Sequence, residues 1–122
     1  MDGGMIRDAI QIRVPLPPST NALFANANGG GRVKTAAYKN WLNTAGWEVK
    51  IQLGAFERTP LVSGPCSIDI LAPVGRNRDA DNAIKPVLDL LVHMQVIADD
   101  KWVDDLRIRR TDGGGPLLVT IA

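Results

Sequence analysis

The sequence predicts a mixed α+β fold: one compact domain in which a single small mixed sheet packs against two main helices. Three observations predict it. The hydrophobic period alternates along the chain between two residues, the signature of a half-buried strand, and the 3.6 residues of an amphipathic helix. The order that results is strand, helix, strand, helix, strand, strand, with no internal repeat and no inter-domain linker. The length of 122 residues fits one domain, which at this size buries roughly two-thirds of its unfolded surface. The domain is expected to span residues 1–122, with residues 1–8 and 22–34 flexible.

Residues 9–14 alternate Ile10, Ile12 and Val14 with Gln11 and Arg13, as a strand with one buried face does. Pro15, Pro17 and Pro18 then end regular structure by fixing φ and removing donors. Residues 22–34 hold three consecutive glycines and little patterning, so a mobile loop without regular structure is expected there. Thr35 is placed to cap a helix from about Ala36 to Leu53, with Tyr38, Trp41, Leu42, Ala45, Val49 and Leu53 on one apolar stripe and Gly54 near the stop. Trp41 and Trp47 read as core or interface residues rather than stacking platforms for bases. Residues 61–72 form the next strand, with Ile68, Ile70 and Ala72 on one side and Ser67, Asp69 and Leu71 on the other. A second helix follows, in which Ile84, Val87, Leu88 and Leu91 keep the i, i+3, i+4, i+7 rule. With Asp81 as its N-cap, Pro86 falls just beyond the first turn and predicts a distorted start. Residues 107–111 and 116–121 look like two strands joined at the Gly113–Gly115 turn.

Composition excludes several classes. The chain is 45% hydrophobic and 22% charged, as globular proteins are. No apolar run approaches the roughly 20 residues that span a bilayer. The start, MDGGMIRDAIQIRV, lacks the pattern of a secretory signal, so the expectation is a cytoplasmic protein without a membrane partner. Cys66 is the only cysteine and His93 the only histidine, which leaves no internal disulfide and no Cys/His zinc site. His93 reads as structural. No G-x-x-x-x-G-K-[ST] loop is present, so no nucleotide cofactor is expected.

The formal charge of +1 conceals a division. Seven of the 13 acidic residues lie between Asp79 and Asp105, whereas residues 1–60 carry four acidic against seven basic side chains. An enzyme acting on nucleic acid needs that arrangement, with carboxylates for metal and cations for phosphates. Asp79 and Asp81 are one residue apart. In an extended segment both carboxylates point the same way and can meet one cation. Magnesium suits an all-oxygen site and keeps several of its waters; manganese is an alternative. Lys85 lies one helical turn beyond Asp81 and can reach back. Asp99 and Asp100 arrive after the helix, where the chain can return toward its beginning. Three carboxylates and a lysine would bind metal, orient water and offset charge on a scissile phosphate.

Taken together, Asp79-Ala80-Asp81-Asn82, Lys85, Asp89 and Ile97-Ala98-Asp99-Asp100 resemble the RusA family of Holliday junction resolvases. Pro17-Pro18-Ser19-Thr20-Asn21 is similar to that family's amino-terminal segment, and the resemblance runs from roughly Val14 to Arg109. It implies that Asp79, Asp81 and Asp100 are catalytic, metal-binding carboxylates and that Lys85 is the essential lysine. It also implies a homodimer that makes paired, symmetric cuts in four-way DNA junctions with Mg²⁺ or Mn²⁺.

The neighbours of this set have two readings each. Asp89, four residues after Lys85, reads first as an ion pair that aims the lysine, and second as a ligand. Asp99 either supports a ligand or shapes its loop. Asn82 either bonds a carboxylate or begins the helix. Asp104 and Asp105 either extend the acidic field or are solvated positions before a strand. Arg76 and Arg78, just before the acidic pair, are expected to contact phosphate. Arg32, Lys34 and Lys39 are candidates to grip a junction arm. The function expected is therefore a magnesium-dependent endodeoxyribonuclease for branched DNA. The alternatives are a catalytically silent junction-binding module and a phosphodiesterase that cuts flaps or forks.

Overall fold

The computed structural model describes residues 9–54, 60–76 and 78–122; the flexibility expected of residues 1–8 lies outside them. Four strands, β1 (Ile10–Val14), β4 (Cys66–Ala72), β5 (Val103–Arg110) and β6 (Leu117–Ile121), form one sheet in the order β1-β6-β4-β5. β6 is antiparallel to both β1 and β4, whereas β5 is parallel to β4. Two helices, α1 (Ala36–Leu53) and α2 (Ile84–His93), complete the α+β arrangement.

The period-two pattern decides which sheet face is buried. Register places Ile12 opposite Val119, Val119 opposite Ile70, and Ile121 opposite Ile68. These side chains are almost wholly buried in one cluster with Tyr38, Trp41, Leu42, Ala45 and Val49 of α1 and Val87, Leu90 and Leu91 of α2. The other face carries Gln11, Asp69, Arg109 and Thr120, joined by an Arg109–Asp69 ion pair of 2.8 Å and a Gln11–Thr120 hydrogen bond of 3.3 Å. On α2 the buried residues are Pro86, Val87, Leu90 and Leu91, while Ile84 and Leu88 are only half-buried.

Capping fixes the ends of α1. Thr35 accepts a hydrogen bond from the Tyr38 amide at 3.2 Å and donates its hydroxyl proton to the Ala22 carbonyl at 2.5 Å. Gly54 closes the helix at φ 77°. Within its last turn, Gln52 bonds both main-chain groups of Arg13, accepting at 2.6 Å and donating at 2.7 Å. A side-chain amide thus takes the place of a neighbouring strand along the outer edge of β1.

Three expectations are corrected. Residues 22–34 are not irregular: β2 (Phe24–Asn26) and β3 (Arg32–Lys34) pair antiparallel. The glycines between them serve a turn in which the Ala27 amide bonds the Gly31 carbonyl, with Gly29, Gly30 and Gly31 all at positive φ. The last two long strands are connected at Gly113–Gly115 but not paired, because β4 lies between them. A helix crossover joins β4 to β5 in parallel and leaves the other edge of β4 for β6. Asp81 is not the cap of α2. A 3-10 turn, Ala80–Ala83, precedes it, so the α-helix proper begins at Ile84 and Pro86 sits inside its first turn, where no donor is missed. Of the two tryptophans read as core or interface residues, Trp41 joins the core and donates Nε1 to the Pro15 carbonyl at 3.0 Å, whereas Trp47 is 65% exposed and lies outside the core. Among the described residues no helix is long and apolar enough to cross a membrane.

Candidate active site

The acidic residues gather around the two ends of α2. Asp79 is extended at φ −74°, ψ 125°, but the chain enters the 3-10 turn immediately after it, with Asp81 in that turn. A shared direction of the two carboxylates therefore does not rest on the alternation of an extended segment. What they share is exposure and position at the amino-terminal end of α2, where the helix dipole favours negative charge. Among the described residues neither pairs with a cation.

The segment leading to Asp79 is held by two arginines. Arg110, at the end of β5, donates Nη1 to the carbonyls of Gly75 at 2.6 Å, Arg78 at 2.8 Å and Val74 at 3.3 Å. Arg78 donates Nη2 to the Pro17 carbonyl at 2.6 Å, so its guanidinium ties the proline-rich segment to the acidic turn. Pro17, Pro18, Ser19, Arg78, Asp79 and Asn82 together line an open depression. Arg110 escaped the sequence reading because nothing in a strand's alternation marks which arginine will meet a distant loop. Replacing Arg110 with alanine is expected to speed amide exchange at Gly75 and Arg78 about tenfold, as loss of charge-assisted bonds to carbonyls should. Exchange unchanged at those amides would show that the loop holds itself.

Lys85 forms the ion pair with Asp89 that its spacing predicts. Its Nζ lies 3.0 Å from Asp89 Oδ1, an i, i+4 ion pair on α2. The second Asp89 oxygen accepts from the hydroxyl of Tyr38. Tyr38 was read only as part of the α1 stripe. Its ring is indeed buried, but its hydroxyl crosses to α2. Burial first, then the bond to Asp89 and that carboxylate's charge, push the Tyr38 phenol well above its ordinary range, so it remains a donor.

Asp99 and Asp100 do not return to the beginning of α2. They line a cavity of about 250 Å³ with Lys34, Leu42, Asp89, Val92 and His93, beside the middle and the end of that helix. The reason lies in the connection, which is pinned first to the loop before β4: the amides of Val62 and Ala98 bond the carbonyls of Val96 and Val62 at 2.9 and 3.0 Å. Asp99 accepts from the Lys101 amide at 3.0 Å, which shapes the turn. That amide, followed by the Asp100 side chain, holds the Asp99 carboxyl below the ordinary carboxylate range. Among the described residues no three Asp, Glu, His or Cys side chains form one cluster able to hold a metal ion. The donors still fit a hard cation, since magnesium is usually held by one or two carboxylates together with waters and substrate phosphates. Asp79 and Asp81 offer oxygen only, without a competing cation.

The remaining cations are spread around these features. Arg32 and Lys34 are exposed on β3, with Arg32 lying 5.8 Å from the Phe24 ring centre. Lys34 faces the Asp99–Asp100 cavity, Lys39 is exposed on α1, and Arg76 is exposed before the acidic turn. His93 is exposed and lines that same cavity.

Comparison with known proteins identifies relatives of the chain. The chain is 28% identical over 102 residues to the crossover junction endodeoxyribonuclease rusA of Enterobacteria phage HK97, covering 82% of this chain and 81% of that protein. The family described as endodeoxyribonuclease RusA matches residues 15–122, which begin just after β1 and take in both helices, the other strands and every acidic residue discussed above. The chain belongs to the endodeoxyribonuclease RusA family.

Proposed function

We propose that this chain is a magnesium-dependent endodeoxyribonuclease that resolves four-way DNA junctions by paired cuts, acting as a homodimer in the cytoplasm. The observation that carries the chemistry is the placement of Asp79 and Asp81, exposed and without a paired cation among the described residues, one turn before an oriented Lys85. Asp79 and Asp81 would hold the metal, while Asp100, the third carboxylate that the resemblance implies, lines the cavity toward the other end of α2. When bound, Mg²⁺ supplies Lewis acidity toward the phosphate and makes a water acidic enough to attack. Lys85 offsets charge on the phosphate or the leaving oxygen. Arg32, Lys34, Lys39 and Arg76 carry the DNA backbone, and Arg78 shapes the acidic turn while lying beside it. Two sites related by a dyad match the symmetry of a four-way junction.

A synthetic four-way junction incubated with protein and Mg²⁺ tests the proposal. Symmetric nicks are expected with Mg²⁺ or Mn²⁺, and none after chelation by EDTA. Tight binding without nicks in any metal would favour a silent binding module. Equal cutting of junction, fork and linear duplex would replace junction resolution by a broader phosphodiesterase activity.

A further inference from the structure

Tyr38 has no exposed surface and its ring is fixed on two sides. Phe24 meets it edge-on at 5.6 Å between centres, and Trp41 stacks against it at 6.2 Å and 25°. Its hydroxyl donates to Asp89 Oδ2, while Asp89 Oδ1 receives Lys85 Nζ at 3.0 Å. The three groups form a line from the core to the surface: Tyr38 is wholly buried, the Asp89 side chain is 20% exposed, and that of Lys85 is 60% exposed.

An i, i+4 ion pair alone holds a lysine weakly, because both side chains swing and solvent screens their charges. Here one partner cannot swing. The carboxylate is pinned by a neutral donor from the other helix, and burial keeps that donor protonated. The direction of Lys85 is thus referred to the core through Asp89 rather than left to its own helix. A tyrosine required only for packing would satisfy its hydroxyl at any polar group within reach; this one meets the carboxylate that receives the lysine.

We infer that Tyr38 is a positioning residue for DNA cleavage, acting through Asp89 to fix the direction of Lys85 on α2. The inference rests on the proposed nuclease reading for its consequence, but not for its geometry. Tyr38→Phe keeps the ring packing and removes only the hydroxyl. Asp89→Asn keeps the shape and leaves an oxygen for Tyr38 to donate to.

Two measurements on the full chain decide it. In the first, Lys85 is labelled by an amine-reactive acylating reagent and followed by peptide mass. Labelling is expected about threefold faster in Tyr38→Phe, the range expected when a fixed ion pair is freed. In the second, single-turnover cleavage of a four-way junction is expected to fall about tenfold in Tyr38→Phe, the worth of one hydrogen bond to a charged acceptor. Junction affinity and the melting curve should stay close to the parent's. The double variant should cleave no more slowly than Asp89→Asn alone, because the hydroxyl acts only through that carboxylate. Unchanged Lys85 labelling in Tyr38→Phe would overturn the inference, as would losses in rate that simply multiply in the double variant. Absence of any cutting by the parent would remove the nuclease reading instead, and labelling would still decide the geometry.

Discussion

Asp81→Asn is expected to lower junction cleavage by about a thousandfold, on the scale seen when one essential electrostatic group is removed from an active site. Junction affinity at matched salt should be unchanged or tighter. The two effects separate because Asp81 is exposed in the 3-10 turn and has no ion-pair partner among the described residues. Its replacement therefore costs the fold little, within about 0.5 kcal/mol. The lost carboxylate also removes a negative charge that faces incoming phosphate, so binding gains while chemistry fails. Single-turnover gels give the rate, and titration of an intact junction gives the affinity. Cleavage at the parent's rate would exclude Asp81 from the chemistry. Parallel loss of rate and affinity would make it a binding residue.

Ile70→Ala carries the largest expected effect on stability. Ile70 has no exposed surface and lies on β4 between Ile108 of β5 and Val119 of β6. Truncation removes three carbons from the centre of the sheet and leaves a space that strands paired on both edges cannot collapse to fill. The expected cost is about 3–4 kcal/mol, a large part of the 5–15 kcal/mol or so that stabilises a typical domain. With a urea slope of roughly 2 kcal/mol per molar, the midpoint should fall by about 2 M. Residual folded protein should keep its cleavage rate, because Ile70 is remote from the acidic turn. A midpoint shift near zero would mean that β4 is not the strand on which the sheet is built.

Local signals in this chain were legible where they concern a residue and its near neighbours. Thr35 as a cap, Gly54 as a stop, the alternation from Cys66 to Ala72 and the Lys85–Asp89 pair follow from spacings of five residues or fewer, and each is present. Long-range arrangement was not. Nothing in residues 103–121 says that β4 will separate the last two strands, because pairing partners are chosen by the crossover of α2. The glycine run at 29–31 misled for a different reason: glycine permits both a mobile loop and a tight turn, and the flanking strands are only three residues long. At the site, the acidic positions and Lys85 were singled out as candidates by spacing and by resemblance, and the Lys85–Asp89 pairing was legible. The path after α2 was not, since bonds to Val62 hold Asp99 and Asp100 away from the helix start. Tyr38 shows the limit most clearly. A helical stripe says which side of α1 is buried, but not what a phenol at its edge will reach.

The position of β6 has a consequence for biosynthesis. β1 and β4 never touch as neighbours in the sheet; the strand between them is residues 117–121. A ribosome delivers that strand after every other element described here, so the nascent chain carries a sheet with a gap in its middle. β1 can meet α1 early, through Trp41 and Gln52, yet it cannot join β4 until the last strand slides between them. Pairing at such sequence separation is slow, and the core that supports α2 and its acidic turn closes only at that step. A chain released before residue 117 would therefore carry every residue proposed for cleavage and still lack the scaffold to use them.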